Sequence, residues 1–488
     1  MKVLHIGWGF RPWRIGGLLE YAEDLMDMQV AQGYEVGYFF SGRHYPLPRK
    51  PWLKKWLRKS INMYEIINSY IDRKYEQVTH YPEVDLNEDY SEIFFLRVLS
   101  EFGPDVIHIQ ELFGMPSSLI EIIKIKNIPV LMTLQDYFPL CPTLKLFDYK
   151  NSLCLKPNIE DTCKICYSQE IRRHKHYIEL TLHYESQKSL LIKLLIITFN
   201  KLRQLKHLMY LSLQKFYYNK NSNYQEDKHK TTKEYSLNKS KKFQNRRDTN
   251  VERLNKIDLL IAQSFRVAEI YRTLGVEEKK VTVVHLTVRH IDQIKPKSMK
   301  SISYPINIAT MNGLASSPKG AYLILDALHK LKSAGLSSQF TLSVMGHILD
   351  SIKDELLQFE NVVYKGTYDV NNLTDLLEQI HVGIVPSVWE EAYGYVGIEF
   401  LAKGIPVIGN KIGGIVDYTA DNVTGWLNKA NTAEGLAQIV TDIIRNPNQI
   451  LHLNRNIMSN YHQIMKSMDR HFEEMDKIYR ELIQRGKG

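Results

Sequence analysis

The chain has 488 residues, 44% hydrophobic and 24% charged, enough for two domains with substantial cores and unlike a globally disordered polymer. No run approaches the roughly eighteen apolar residues of a membrane-spanning helix, and the opening Met1-Lys2-Val3-Leu4-His5-Ile6-Gly7-Trp8-Gly9 is too short and polar for a signal peptide, so a cytoplasmic protein is expected. The net charge of +9 sits in one place: residues 171–250 hold 18 Lys or Arg against 6 Asp or Glu, and the rest is near −3.

Residues 1–42 read as strand, glycine loop, helix and strand. Residues 2–6 form the strand, and Gly16-Gly17 close the loop. Leu18, Tyr21, Ala22, Leu25 and Met28 fall at helical spacing up to Gly33, and residues 35–40 are the next strand. Such a βαβ start is common among nucleotide-binding domains. Taken alone, the glycine pair fits a tight turn as well as a phosphate-facing loop. Residues 43–80 are basic and aromatic, with Trp52 and Trp56 on one face if helical. Tryptophan with lysine suits an anionic membrane surface, and it also suits a solvated helix with two packed rings.

The α/β pattern returns at 104–140. Residues 105–109 form a strand, 117–126 a helix and 129–134 a strand that leads into Gln135-Asp136-Tyr137-Phe138-Pro139. Four cysteines follow, Cys141, Cys154, Cys163 and Cys166, spaced x12, x8 and x2. In a reducing compartment this clustering predicts a structural tetrahedral zinc site, the alternative being four packed thiols. Four thiolates would leave no open position for a catalytic metal.

Residues 168–250 read as a basic insertion. An apolar stripe through Leu191, Leu195, Leu202, Leu205, Met209, Leu213 and Phe216 predicts an amphipathic helix over 190–218. Residues 219–250 lack apolar periodicity and are expected to form a mobile loop. The helix fits a monotopic membrane contact or a hairpin packed on the domain; nucleic acid is the weakest reading of the charge.

Strands resume at 257–263 and 281–284, and residues 285–303 form a polar crossing. The second domain opens with a strand at 306–310, the loop Met311-Asn312-Gly313-Leu314-Ala315-Ser316-Ser317-Pro318-Lys319-Gly320 and a helix over 322–333. Strands at 340–345 and 362–364 follow, the latter ending at Lys365-Gly366-Thr367-Tyr368. Residues 386–414 then read PSVWEEAYGYVGIEFLAKGIPVIGNKIGG. A strand at 382–385 enters Pro386-Ser387, an acidic turn holds Glu390-Glu391, and a helix carries Glu399. Gly404-Ile405-Pro406 breaks it before a strand at 407–408. The acids fit helix-start caps, or they fit a pair gripping hydroxyls on either side of a phosphate at the helix start.

This ordered set (Glu391-x7-Glu399 around Tyr393-Gly394, framed by Pro386-Ser387, Gly404-Ile405-Pro406-Val407 and Gly413-Gly414) resembles glycosyltransferase family 4, the glycosyl transferases group 1. The resemblance implies the α/β GT-B fold: two Rossmann-like domains facing a cleft, with the basic helical insertion in the N-terminal domain. The boundaries expected are 1–290 for the acceptor-side domain, 303–465 for the nucleotide-sugar domain, and 466–488 for a helix crossing back. It implies a retaining transferase that moves a hexose-type sugar from a nucleotide sugar to a glycan or lipid-linked acceptor, as in envelope polysaccharide synthesis. It also implies roles. Gly16 and Gly17 lie near the diphosphate, Lys319 neutralises it, Glu399 takes the ribose hydroxyls and Glu391 the donor sugar. Tyr368 lies near the base, and Tyr393 and Gly394 flank the donor. Gln135 stands where the family has a sugar-contacting histidine, and can hydrogen-bond without carrying charge. Leu314 stands where the family has arginine. Similar cysteine clusters occur in some relatives.

Cleaving an anomeric C–O bond leaves a charged diphosphate, which calls for preorganised positive potential. The chain has no Asp-x-Asp to hold a divalent ion. No catalytic metal is therefore expected, and the charge falls to Lys319, the helix start near Gly394 and the Gly16-Gly17 loop. A catalytically weak sugar-nucleotide-binding partner protein is the competing expectation, motivated by Gln135 and Leu314.

Overall fold

Short apolar runs alternate with amphipathic stretches along most of this chain, and the runs become strands of two sheets. The computed structural model describes residues 1–47, 50–71, 82–168, 173–188 and 234–486. The first sheet contains β1 (Lys2–Trp8), β2 (Glu35–Ser41), β3 (Trp52–Arg58), β4 (Ile61–Ile67), β5 (Val106–Ile109), β6 (Val130–Leu134), β7 (Leu259–Ala262) and β8 (Val281–Val283). Their order is β3-β4-β2-β1-β5-β6-β7-β8, and every pair is parallel except the β3–β4 edge hairpin. The second sheet contains β9 (Ile306–Met311), β10 (Phe340–Met345), β11 (Val362–Gly366), β12 (Val382–Val385), β13 (Val407–Asn410) and β14 (Gly425–Asn428). It is wholly parallel, in the order β11-β10-β9-β12-β13-β14. Parallel strands are covered on both faces, so central strands such as β6 and β12 are buried along their whole length.

The helix Met468–Gly486 joins the two halves. Its buried stripe of Met468, His471, Phe472, Met475, Tyr479 and Leu482 packs with Val3, Tyr21 and Leu25 of the first domain and Phe400 and Ile405 of the second. The Gln29 amide donates to the Tyr479 hydroxyl over 3.1 Å. That hydroxyl lies 2.7 Å from His108 Nδ1, and Tyr21 Oη lies 3.0 Å from His471 Nε2. Burying a side chain of Tyr479's size contributes about 1.5–3 kcal/mol. His108 thus sits wholly inside a structural network, its other nitrogen 2.7 Å from Thr133 Oγ1.

Three expectations are corrected. Trp52 and Trp56 lie on β3, not on a helix. They still share a face, and Trp56 Nε1 donates to Glu65 over 3.0 Å. The expected loop over 219–250 is, in its described part, the helix Glu234–Lys256. Its arginines make it a core element: Arg246, 1% exposed, holds Asp85 with contacts of 2.6–3.0 Å and the Phe138 and Pro139 carbonyls. The helix expected over 190–218 lies outside the described residues. Finally, no group of three or more His, Cys, Asp or Glu among the described residues is arranged to hold a metal ion, so the zinc expectation for Cys141, Cys154, Cys163 and Cys166 is not supported. All four are free, and the first three are buried in the first domain's core cluster as small apolar groups. Burial, reinforced by the neighbouring thiols, pushes Cys163 well up, away from the thiolate a metal requires.

Candidate active site

Four strand ends converge on one cleft. β1 runs toward Gly16-Gly17, β6 into Gln135, β9 into Asn312-Gly313, and β12 into Pro386-Ser387. The carboxyl edge of a parallel sheet is where such folds take ligands. The cavity between the domains measures about 480 Å³. Gly17, Glu20 and Gln135 line it from the first domain, and Lys319, Tyr368, Glu391, Tyr393, Gly394 and Glu399 from the second. Gly16 is not in that lining; it starts the first helix at φ 143°. Gly17 follows it, and a Cβ there would lie 3.0 Å from the Tyr395 ring, so glycine eases this close approach of the domains.

The acidic turn is held by backbone. Gly414 N–H donates to the Glu391 carbonyl over 2.8 Å, and Gly413 N–H to Glu390 Oε2 over 2.8 Å. Gly413 has φ 57°, and a Cβ there would sit 2.5 Å from the Glu391 carbonyl oxygen. Arg266 of the first domain takes the other Glu390 oxygen at 2.6 Å. Glu390 is therefore a structural acid, whereas Glu391 faces the cavity, paired with Lys319 Nζ through one oxygen and accepting from Ser387 Oγ at 2.6 Å through the other. The helix Tyr395–Ala402 begins at Gly394 with no side-chain cap, so its first N–H groups are open to an anion.

Glu399 is 4% exposed, and its two oxygens differ. Oε1 lies 2.9 Å from His290 Nε2, while Oε2 is buried without a partner. His290 Nδ1 reaches Glu20 Oε1 at 3.0 Å. Burial acts to lower the imidazole pKa, but the two carboxylates outweigh it and raise it to about 9. The cavity therefore carries three carboxylates, Glu20, Glu391 and Glu399, against two cations, Lys319 and His290. Leu314 adds none: it is fully buried in the second domain's core.

Gln135 points its amide N–H at Gln110, 3.0 Å from Oε1 and 3.2 Å from the carbonyl, and leaves its own buried Oε1 unpaired. Its loop is clamped from behind by Arg246, Arg247 and Asn250 of the helix Glu234–Lys256, through the carbonyls of Phe138, Pro139 and Leu140. Beside it, burial and the nearby Glu111 raise Asp136 to about 7. Tyr368 Oη accepts from Asn312 over 3.1 Å. Sequence reasoning missed His290, Glu20 and Trp389; the last stands with Lys319 Nζ 5.8 Å from its ring centroid and its own indole N–H unpaired. His290 lies in a crossing segment with no periodicity to mark it.

Residues 304–462 match the family described as "Glycosyl transferases group 1". Over that span the second domain is similar to group 1 glycosyl transferases. The chain is 29% identical over 191 residues to the "Uncharacterized 41.2 kDa protein in cps region" of Klebsiella pneumoniae, covering 38% of this chain and 51% of that protein. It is 28% identical over 175 residues to the "Lipopolysaccharide 1,2-N-acetylglucosaminetransferase" of Salmonella typhimurium, covering 33% and 44%. The chain thus spans about half the length of the curated relatives it matches. Across nearly the whole length it superposes on Anabaena Alr3699/HepE in complex with UDP, at TM-score 0.56 and 13% identity, covering 98% of this chain and 99% of that one. The fold is GT-B. The second domain contributes Lys319, Glu391 and Glu399 to the cleft, and the first domain contributes the facing wall.

Proposed function

We propose that this protein is a retaining glycosyltransferase that moves a hexose-type sugar from a nucleotide sugar to a hydroxyl of a glycan or lipid-linked acceptor in envelope polysaccharide synthesis. One observation carries this reading: at an uncapped helix start in the interdomain cleft, two carboxylates flank the anion site, one paired with Lys319 and the other presenting a buried, unpaired oxygen. An unpaired buried acceptor costs about 1–3 kcal/mol, and a ligand hydroxyl would relieve that cost. The relatives' printed names, one from a cps region and one a lipopolysaccharide N-acetylglucosaminetransferase, support the class of acceptor.

The roles that the family resemblance implies fit this geometry. The diphosphate sits at the Tyr395–Ala402 helix start beside Lys319, and its leaving charge is met there without a catalytic metal. Glu399 Oε2 accepts from the ribose, Tyr368 lies by the base, and Glu391 and Gln135 hold the sugar. The anomeric C–O bond breaks with its electron pair going to the diphosphate oxygen. The acceptor oxygen bonds to the anomeric carbon on the same face, and its proton passes to the departing diphosphate. No residue is assigned as general base. Closing the cleft keeps water from the activated donor. A panel of nucleotide sugars with crude lipid acceptors should show release of nucleoside diphosphate together with a glycosylated product. Absence of both binding and turnover across the panel sinks this reading.

A second reading, a sugar-nucleotide-binding partner with weak turnover, is favoured by Leu314, which buries an apolar group where the family resemblance implies a cation. Tight nucleotide binding without transfer would select it. Approach to an anionic membrane surface rests on the charge of residues 171–250. Failure to sediment with anionic vesicles would remove that part alone.

A further inference from the structure

The imidazole of His290 belongs to neither sheet. It lies on the crossing between the domains, 6% exposed, with one carboxylate on each ring nitrogen: Glu20 of the first domain at 3.0 Å and Glu399 of the second at 2.9 Å. A neutral ring has one N–H and would turn a lone pair on one of these acids; two carboxylate contacts require both nitrogens to donate. The ring is anchored from its own segment too, since Arg289 N–H donates to Asp24 over 2.8 Å and Asp292 accepts from Met468 N–H over 2.9 Å.

We infer that His290 is a positioning residue that links closure of the two domains to donor capture, by bridging Glu399 Oε1 to Glu20 so that Glu399 Oε2 stays unpaired in the lining of the cleft. The donor half of this statement rests on the function proposed above; the bridge itself does not. With His290 charged, closing the domains forms two charge-assisted hydrogen bonds and aims one carboxylate oxygen. With the proton gone, one contact becomes repulsive and both the closure and the aim loosen.

The charged surroundings support a ring that stays protonated. From the first helix it faces Glu20 and Asp24, with Arg11 3.6 Å from Glu20. From the second domain come Glu399 and the neutral Tyr368 and Tyr395, both held protonated by burial. On its own segment lie Arg289 and Asp292. The imidazole, raised to about 9, is charged at neutral pH and discharges as pH rises through that value.

Calorimetric titration with UDP tests the donor half, on the full chain as wild type, His290→Gln and His290→Arg. The wild type should lose about tenfold in affinity between roughly pH 7 and 10. His290→Gln should already be about tenfold weaker near pH 7 and respond little to pH. His290→Arg, with a permanent charge and several donors, should hold its affinity at the upper pH. Equal UDP affinity and an equal pH profile in wild type and His290→Gln would overturn the inference.

The bridge is read without any ligand by thermal unfolding and small-angle scattering. A folded pKa above the unfolded value makes the contribution full below about pH 6.5 and lost by about 9, so wild-type Tm should fall across that window more steeply than that of His290→Gln. The variant should also show a larger radius of gyration near pH 7. If neither UDP nor GDP, ADP, CDP or dTDP binds the wild type, the donor reading falls, while these ligand-free measurements still judge the bridge. Identical Tm slopes and radii in the two proteins overturn it.

Discussion

The acidic loop of the second domain and the helix Glu234–Lys256 of the first both shape the cleft, yet by opposite means. The loop is held mostly from within its own 29 residues: the Gly413 and Gly414 N–H groups donate to Glu390 and Glu391, and Pro386-Ser387 lead straight from β12, with Arg266 reaching Glu390 from the first domain. The helix is held by long side chains that reach far along the chain: Arg246 to Asp85 and to the carbonyls behind Gln135, Arg247 to Leu140 and Lys156, and Arg253 to Leu86 and Ser117. The loop's order is written in its sequence. The helix's polar composition resembles a solvated tail, though three of its arginines are buried.

The largest effect should come from breaking the side-chain support. Arg246→Ala takes the buried guanidinium away from Asp85, 3% exposed, and should lower unfolding stability by up to about 3–5 kcal/mol in urea titrations. The paired replacement Arg246→Met with Asp85→Leu removes both charges and should recover much of that loss. If Arg246→Ala unfolds like the wild type, the helix is a passive surface element and the contrast with the loop fails.

Breaking the second-domain side should cost ligand or stability according to which acid is changed. Glu399→Gln keeps the shape but exchanges a carboxylate for an amide at the unpaired oxygen. A charged-group hydrogen bond of about 1.5–3 kcal/mol corresponds to roughly 10–100-fold in affinity for whichever nucleoside diphosphate the wild type binds. Calorimetry is the test, read beside Tm, because the substitution also weakens the charged contact of Glu399 with His290. Glu390→Gln sharpens the comparison, because that acid ties Arg266 to Gly413, and its loss should lower stability before affinity.

Histidine chemistry divides the two regions again. His5, lowered to about 4 by burial, and His471, lowered to about 3 by burial, are neutral in the network that seats the closing helix. Their unfolded forms take up protons first, so stability is full above about pH 6.5 and falls as pH drops toward 4. The slope approaches about 1.4 kcal/mol per pH unit for each histidine. His290 acts in the other direction, losing its contribution as pH rises toward 9. Stability should therefore peak near pH 6.5. Replacing His471 with Gln should flatten the acid side alone, as read by urea midpoints across that range.

What was legible follows the same division. The two parallel sheets could be read because their strands are continuous apolar runs, and the acidic motif because its parts lie within 29 residues of chain. The helical expectation for Trp52 and Trp56 failed on an ambiguity of period: residues four apart share a face in both helix and strand. Lys54 and Lys55 between them are exposed on an edge hairpin, so no apolar alternation marked the strand. The helix Glu234–Lys256 was illegible because its arginines find partners about 90 to 170 residues away, which no local window contains. The cysteine spacing matched a metal framework, yet burial against the first core outweighed that pattern. His290 gave no local signal, since its role depends on two helices that only the folded chain brings together.

The smallest effect belongs to the edge hairpin, where basic side chains look prominent in the sequence. Lys55 pairs with Glu101, but the two side chains are 39% and 37% exposed, and Arg97 already holds the same carboxylate at 2.9 Å. Solvent screening and side-chain entropy leave such pairs with about 0–1 kcal/mol. Lys55→Ala should therefore shift the urea midpoint by less than the Arg246 pair of variants can resolve between them, and the shift should shrink further in high salt. A loss comparable to Arg246→Ala would mean that exposed charge contributes as much to this fold as buried charge. In that case the contrast between the backbone-held loop and the arginine-held helix would be one of sequence distance alone, not of burial.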